Sequence, residues 1–106
     1  MELFVIRHTQ VDNPENLCYG NIEMPLVKNY EKITKKFFDN LPKNIEKIFS
    51  SPSKRCTDLL ECMNLEFSKR KELKELDFGD WEGRRWSEIN KADLNTWMND
   101  FIYKSP

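Results

Sequence analysis

The sequence has few of the residues from which metal sites and disulfide frameworks are built. Its 106 residues include one histidine, three cysteines and three glycines. The cysteine number is odd, no two cysteines have the C-x-x-C spacing, and one histidine cannot complete a Cys/His zinc site of the usual spacing. We therefore expect free thiols in a reducing compartment, no bound metal and no cofactor.

Long apolar runs and an excess of charge of one sign are also missing. The net charge is -1, so there is no electrostatic basis for a nucleic-acid or membrane partner. The first apolar run, residues 3–6, is too short for a signal-peptide core or a membrane span. Aromatic residues, by contrast, make up 12% of the chain, which favours a packed core over disorder. We expect one small, soluble, cytoplasmic domain.

The pattern of apolar residues predicts alternating strands and helices. The predicted elements are, in chain order, a buried strand over 2–7, a loop to about residue 28, an amphipathic helix over 29–42, a strand within 45–50, a helix with Ser51 as N-cap and Pro52 at its first position, a weak strand over 65–71, and one or two helices from Trp86 to Phe101. This order predicts an α/β fold with a small parallel sheet that needs cover on both faces.

Three side chains suited to an anionic substrate follow the first two predicted strands. Arg7 and His8 come at the carboxyl end of the first strand, and Arg55 lies in the first turn of the helix after the second. Ligands of open α/β sheets bind outside the carboxyl ends of the strands. Guanidinium groups bind phosphate through two parallel hydrogen bonds, and a helix N-terminus adds N–H donors. An imidazole among these groups can attack phosphorus and form a covalent intermediate.

Two further segments offer supporting roles. Phosphoester cleavage needs a proton for the leaving oxygen, and the acidic, aromatic segment 72–83 offers Glu75 and Glu82 as candidates. The residues alone do not choose between them. Tyr19 and Gly20, in the long first loop, form either a plain turn or a rim that touches the substrate.

These segments together resemble the histidine phosphatase superfamily, also called the phosphoglycerate mutase-like family. The similar segments are Leu3-Phe4-Val5-Ile6-Arg7-His8-Thr9, with Thr9 where Gly is commoner, the S-S-P-x-x-R match at residues 50–55, and residues 75–83 around the proton donor. Cys18-Tyr19-Gly20 and Met24-Pro25-Leu26 resemble the α-ribazole phosphatase branch, which acts in cobalamin nucleotide-loop assembly.

The resemblance implies a role for each candidate. His8 would be the phosphohistidine nucleophile, Arg7 and Arg55 would hold the phosphoryl oxygens, and Glu75 would be the acid/base, while Glu82 would be structural. The implied fold is a three-layer α/β/α sandwich around a mainly parallel sheet. The implied activity is phosphomonoester hydrolysis, with α-ribazole 5′-phosphate as the expected substrate.

One departure from the family keeps other interpretations open. The family closes its phosphate pocket with a second histidine in the later half of the domain, and this sequence has one histidine. We therefore expect residues 1–106 to be the N-terminal portion of a single domain, either a fragment or a naturally shortened member. Such a chain could be catalytically impaired, and bind phosphate or self-associate through an exposed sheet edge. A mutase or a sugar-phosphate phosphatase is a further alternative.

Overall fold

The structure of the protein, a computed structural model, describes residues 2–100. Its contacts group into two compact units. Residues 2–12 and 24–74 form the first, and residues 13–23 and 75–100 form the second. The prediction that the chain is one domain stays a prediction. Residues 101–106, to which the last predicted helix extends at Phe101, lie outside the described residues.

The first unit contains two helices and a small parallel sheet. Helices α1 (Tyr30–Phe38) and α2 (Lys54–Cys62) contact each other, and strands β1 (Phe49–Ser50) and β2 (Ser68–Lys69) pair in parallel. The buried side chains of this unit include Thr34 of α1 and Leu59 and Leu60 of α2. The spacing of Cys56, Leu59, Leu60 and Met63 predicts an apolar stripe that packs on the sheet, and the burial of Leu59 and Leu60 confirms this stripe at its centre. Both later strands lie within their predicted ranges.

The helix ends differ from the prediction. Helix α1 ends at Phe38, before Pro42, because the chain tightens into a turn in which the Asn40 N–H donates to the Phe37 carbonyl at 3.1 Å. Helix α2 begins at Lys54 with Ser53 at the N-cap position. The prediction of Ser51 as the N-cap is wrong, because the Ser51 hydroxyl accepts a hydrogen bond from the Ser53 N–H at 3.3 Å and forms a local turn.

The prediction of a buried strand over residues 2–7 is also wrong. Residues 2–10 form no regular element, and within residues 2–100 no backbone hydrogen bond joins this segment to β1 or β2. Leu3 is 81% exposed and Val5 89%, whereas Phe4 and Ile6 are 45% and 39% exposed. The alternation is that of an extended chain with one face partly covered. Apolar composition predicts burial, but a strand also needs a paired neighbour. The described sheet thus has two strands instead of three, and the three-layer sandwich stays a prediction.

The long predicted loop is confirmed, and its ends are tied together. Val11 and Leu26 form an isolated antiparallel bridge within the first unit. The Asp12 N–H donates to the Pro25 carbonyl at 2.7 Å, and the Val27 N–H donates to the Gln10 carbonyl at 3.1 Å. Because hydrogen bonds join its two ends, the segment is a loop whose ends lie close together.

The second unit is built on an antiparallel contact and an aromatic cluster. The Cys18 N–H donates to the Arg84 carbonyl at 2.7 Å, and the Gly83 N–H donates to the Cys18 carbonyl at 2.9 Å. Helix α3 (Lys91–Asn99) follows, and the structure also contains 3₁₀ turns at Lys71–Leu73, Gly79–Trp81 and Trp86–Glu88. Four rings pack edge to face at centroid distances of 5.5–5.8 Å: Phe78, Trp81, Trp86 and Trp97. Trp81 and Trp86 therefore pack against other aromatic rings of this cluster.

None of the helices in the described part of the chain has the length and apolar character needed to cross a bilayer.

Replacement of the α3 N-cap should destabilise the second unit. The Asn90 side chain accepts hydrogen bonds from the Ala92 and Asp93 N–H groups. We expect Asn90→Ala to cost about 1 kcal/mol, a typical value for a lost cap. Asn95→Ala, at an exposed position of the same helix, is the matched control and should be neutral or slightly stabilising. Urea unfolding followed by circular dichroism measures both, and an equal loss in the two variants would contradict the prediction.

The Cys18 thiol should make stability fall at high pH. Its side chain is fully buried, and burial, followed by the negative charge of Glu82, raises the pKa of Cys18 from 9.0 to about 11. Below pH 9 the thiol is protonated in both states, so its contribution is complete. As pH rises from 9 towards 11, the unfolded thiol loses its proton first, and this contribution is lost.

The free energy of unfolding of wild type and Cys18→Ala, measured under reducing conditions from pH 7.5 to 11, checks this expectation. The advantage of wild type should shrink as pH rises above 9. Parallel curves for the two proteins would show that Cys18 does not titrate as expected.

Candidate active site

The His8 ring has a defined tautomer in its neutral form. His8 is partly buried, and its Nδ1 lies 2.7 Å from the carbonyl oxygen of Thr9. Because a carbonyl oxygen can only accept, the hydrogen is assigned to Nδ1. The lone pair of the neutral ring then lies on Nε2. His8 therefore presents the atom that a nucleophile requires, and its orientation is fixed by a local backbone contact.

The two candidate arginines have different environments within the first unit. Arg7 is exposed at the end of the extended segment, whereas Arg55 is 2% exposed and lies in the first turn of α2, as predicted. Helix α2 has no acidic residue in its first turn. A buried guanidinium beside a helix N-terminus combines two sources of positive potential.

Two hydroxyl groups beside these residues were not identified from the sequence. Thr9 Oγ1 and Ser53 Oγ are buried and have no hydrogen-bond partner among residues 2–100. Thr9 follows His8, and Ser53 is the N-cap residue of the helix that carries Arg55. The signal in the sequence was Thr9 itself, which occupies the position where the resembled family more often has Gly. A buried hydroxyl without a partner is costly, and both of these groups keep an unused donor within the described part of the chain.

Glu82 binds three consecutive backbone N–H groups within the second unit. Its carboxylate accepts hydrogen bonds from Gly20 at 2.5 Å, Asn21 at 2.9 Å and Ile22 at 3.2 Å. Both carboxylate oxygens act as acceptors here, which agrees with the structural role expected for Glu82. Glu75 is exposed, and its Oε1 is 3.4 Å from the Leu76 N–H. The contacts favour Glu75 over Glu82 as the candidate acid.

Gly20 is buried where a side chain has no room. A Cβ at this position would overlap the carbonyl oxygen of Leu76 and come within 2.9 Å of the Phe78 ring. The neighbouring Tyr19 is partly buried. The loop therefore approaches the segment after Glu75 at backbone distance, and glycine is required for that approach.

The candidate residues fall in both units. Arg7, His8 and Arg55 lie in the first, and Tyr19, Gly20 and Glu75 lie in the second. Their convergence on one ligand stays a prediction. A separate groove of about 690 Å³ lies along β1 and β2 and is lined by Phe49, Phe67 and Arg70 among others. None of the six candidates lines it. Over residues 2–100 there is no cluster of three potential metal ligands.

Solved structures with a similar fold belong to longer proteins. TTHB049 from Thermus thermophilus matches with a TM-score of 0.77 at 24% identity, over 95% of this chain and 59% of that one. The α-ribazole phosphatase from Shigella flexneri matches with 0.77 at 24%, over 95% and 55%. A putative α-ribazole-5′-P phosphatase from Escherichia coli K-12 matches with 0.74 at 23%, over 90% and 52%. The chain thus spans somewhat more than half the length of these proteins.

Sequence comparison gives the family directly. No curated protein matches the chain with a significant score. The model of the histidine phosphatase superfamily, branch 1, matches residues 3–106. This match covers nearly the whole sequence, including the Arg7-His8 and Arg55 segments, and the chain has part of a phosphoglycerate mutase-like fold, which matches somewhat more than half of each structural neighbour. The chain therefore belongs to branch 1 of the histidine phosphatase superfamily.

Proposed function

We propose that the chain serves in a metal-independent phosphomonoester hydrolase in which His8 accepts the phosphoryl group. The observation that carries the proposal is the 2.7 Å contact between His8 Nδ1 and the Thr9 carbonyl, which leaves the Nε2 lone pair for attack. The buried Arg55 and the buried hydroxyls of Thr9 and Ser53 support it. All three side chains are hydrogen-bond donors suited to phosphoryl oxygens. Thr9 follows His8 in the chain, and Ser53 and Arg55 lie at the start of α2.

The reaction would proceed in two displacements. His8 Nε2 forms a bond to phosphorus while the bond from phosphorus to the ester oxygen breaks, and Glu75 donates a proton to that leaving oxygen. Water then attacks phosphohistidine, gives a proton to the Glu75 carboxylate, and releases phosphate with His8 restored. Arg7 and Arg55 balance the charge of the phosphoryl oxygens in both steps. Phosphoryl transfer depends mainly on such positioning and charge stabilisation.

The proposed substrate is α-ribazole 5′-phosphate. One structural neighbour is the α-ribazole phosphatase from Shigella flexneri, and another is a putative α-ribazole-5′-P phosphatase from Escherichia coli. The segments around Tyr19 and Pro25 resemble that branch. Tyr19 and Gly20 would form the rim that meets the leaving group. A comparison of kcat/KM for α-ribazole 5′-phosphate, 3-phosphoglycerate and a sugar phosphate tests this choice of substrate.

A second candidate function rests on the exposed segment at residues 3–6. Leu3 and Val5 are more than four-fifths exposed, and an extended apolar segment without a paired neighbour is a template for another strand. A chain that binds phosphate weakly and associates with itself through this segment would show these features. Size-exclusion chromatography combined with a turnover assay separates the two candidates, because a monomer with ordinary turnover excludes the second.

Replacement of His8 should abolish the covalent intermediate. We expect a phosphomonoester labelled with ³²P to leave label on the wild-type chain after rapid denaturation, and His8→Ala to retain none and to lose turnover. Cys56→Ala, which removes the thiol next to Arg55 in the sequence, is the control for a second nucleophile and should still be labelled. Equal activity of wild type and His8→Ala would refute the assignment.

Replacement of Glu75 should affect poor leaving groups most. With alkyl phosphates, Glu75→Gln should lower the rate of the first step by about 10²–10⁴-fold, the usual range for a lost general acid. With p-nitrophenyl phosphate the first step should change little, because the leaving phenolate needs no proton. Glu72→Gln, at an exposed position, is the matched control. An equal loss in the rate of the first step with both substrates would show that Glu75 is not the acid, whereas a loss confined to the hydrolysis of phosphohistidine would reflect its second role.

A further inference from the structure

Three backbone N–H groups donate hydrogen bonds to the Glu82 carboxylate, which indicates that Glu82 has a role beyond stabilising the fold. We propose that Glu82 is a positioning residue that fixes the loop of residues 19–22, called here the rim loop, in the shape that meets the leaving group of the substrate. The proposal rests on the proposed function, in which Tyr19 and Gly20 contact the substrate. Glu82 would thus raise the affinity for the leaving group without taking part in the reaction itself.

The hydrogen bonds of Glu82 define the shape of the rim loop. The N–H groups of Gly20, Asn21 and Ile22 converge on one carboxylate at 2.5–3.2 Å. Successive backbone N–H groups that point to one side form an anion-binding nest. Here the anion is a side chain about sixty residues away in sequence. The nest is therefore already occupied, so the rim loop would meet the substrate through other groups.

The same contact places the rim loop against the segment that carries Glu75. Gly20 lies so close to the Leu76 carbonyl and the Phe78 ring that a Cβ could not be added. Leu76 is the residue after Glu75. Glu82 thus holds the rim loop beside the backbone of the candidate acid, and all of these residues belong to the second unit.

The base of the rim loop is anchored independently of Glu82. Cys18, directly before the loop, is fully buried and exchanges backbone hydrogen bonds with Gly83 and Arg84. Loss of the Glu82 carboxylate should therefore release residues 20–22 while the antiparallel contact at Cys18 persists. A local change of loop shape, and not global unfolding, is the expected result.

Glu82→Gln provides the main test. The glutamine side chain replaces one acceptor oxygen with a donor, so at least one of the three bonds is lost along with the charge. We expect amide hydrogen exchange at residues 20–22 to accelerate about tenfold, the equivalent of one lost charge-assisted hydrogen bond. Exchange at Cys18 should be unchanged. Glu88→Gln, at an exposed position of the same unit, is the matched control and should leave the rim loop protected.

Ligand affinity is measured in a His8→Ala background, where no turnover can occur. The Kd for α-ribazole 5′-phosphate should rise about tenfold when Glu82→Gln is added, by the same arithmetic, while the Kd for inorganic phosphate stays unchanged. Glu82→Asp, which keeps the carboxylate, should recover part of the affinity. In the protein with His8 intact, the effect should appear in KM more than in kcat.

The outcomes distinguish this proposal from the proposed function. Faster exchange with unchanged affinity would overturn it, because the loop would then not meet the leaving group. Unchanged exchange, equal weakening of phosphate, or no binding of α-ribazole 5′-phosphate would also overturn it. Absence of a phosphohistidine in wild type would instead refute the hydrolase mechanism, while a selective rise in Kd would still support the role of Glu82. If Glu82→Gln does not fold, Glu82→Asp, which shortens the side chain and keeps the carboxylate, should show faster exchange at residues 20–22 together with a smaller selective loss of affinity.

Discussion

The second unit depends on the attraction between one carboxylate and three backbone amides. Without Glu82, the N–H groups of residues 20–22 would lack their acceptor, and an unpaired polar group that stays away from water costs free energy. The same negative charge helps to raise the pKa of the neighbouring Cys18 thiol. One side chain thus influences the shape of a loop and the ionisation of the residue before it.

The sequence predicted which helices and strands form better than it predicted where they end or which segments bury them. The periodicity of α2 identified its buried face, because Leu59 and Leu60 stand three and four residues after Cys56, on one side of the helix. Its first residue was misplaced, since Ser51 had a local alternative to capping. The run at residues 3–6 was predicted to be buried, yet burial depends on a neighbouring segment, which local composition does not encode. Family membership was recognisable because several short motifs, among them Arg-His and S-S-P-x-x-R, occur together in the order that the family has, and the family model matches residues 3–106.

The candidate site likewise combines residues that the sequence predicts with contacts that only the structure shows. Arg7, His8 and Arg55 could be named from motifs, since their chemistry resides in the residue types themselves. The tautomer of His8 depends on the direction of the Thr9 carbonyl, and the partners of Glu82 are about sixty residues away. Neither follows from residue types. Ser53 Oγ escaped notice for a related reason: that a hydroxyl is buried and lacks a partner among residues 2–100 is a property of packing.

The exposed apolar run has a consequence for colloidal behaviour. Leu3, Phe4, Val5 and Ile6 combine high β-propensity with no charge, the composition of segments that stack into cross-β aggregates. Glu2 and Arg7 flank the run, and charged residues at such flanks act as gatekeepers, since stacked copies would bring like charges together. Arg7 would then both bind phosphate and keep the protein dispersed. A substitution of Arg7 that preserved phosphate binding could still cause precipitation.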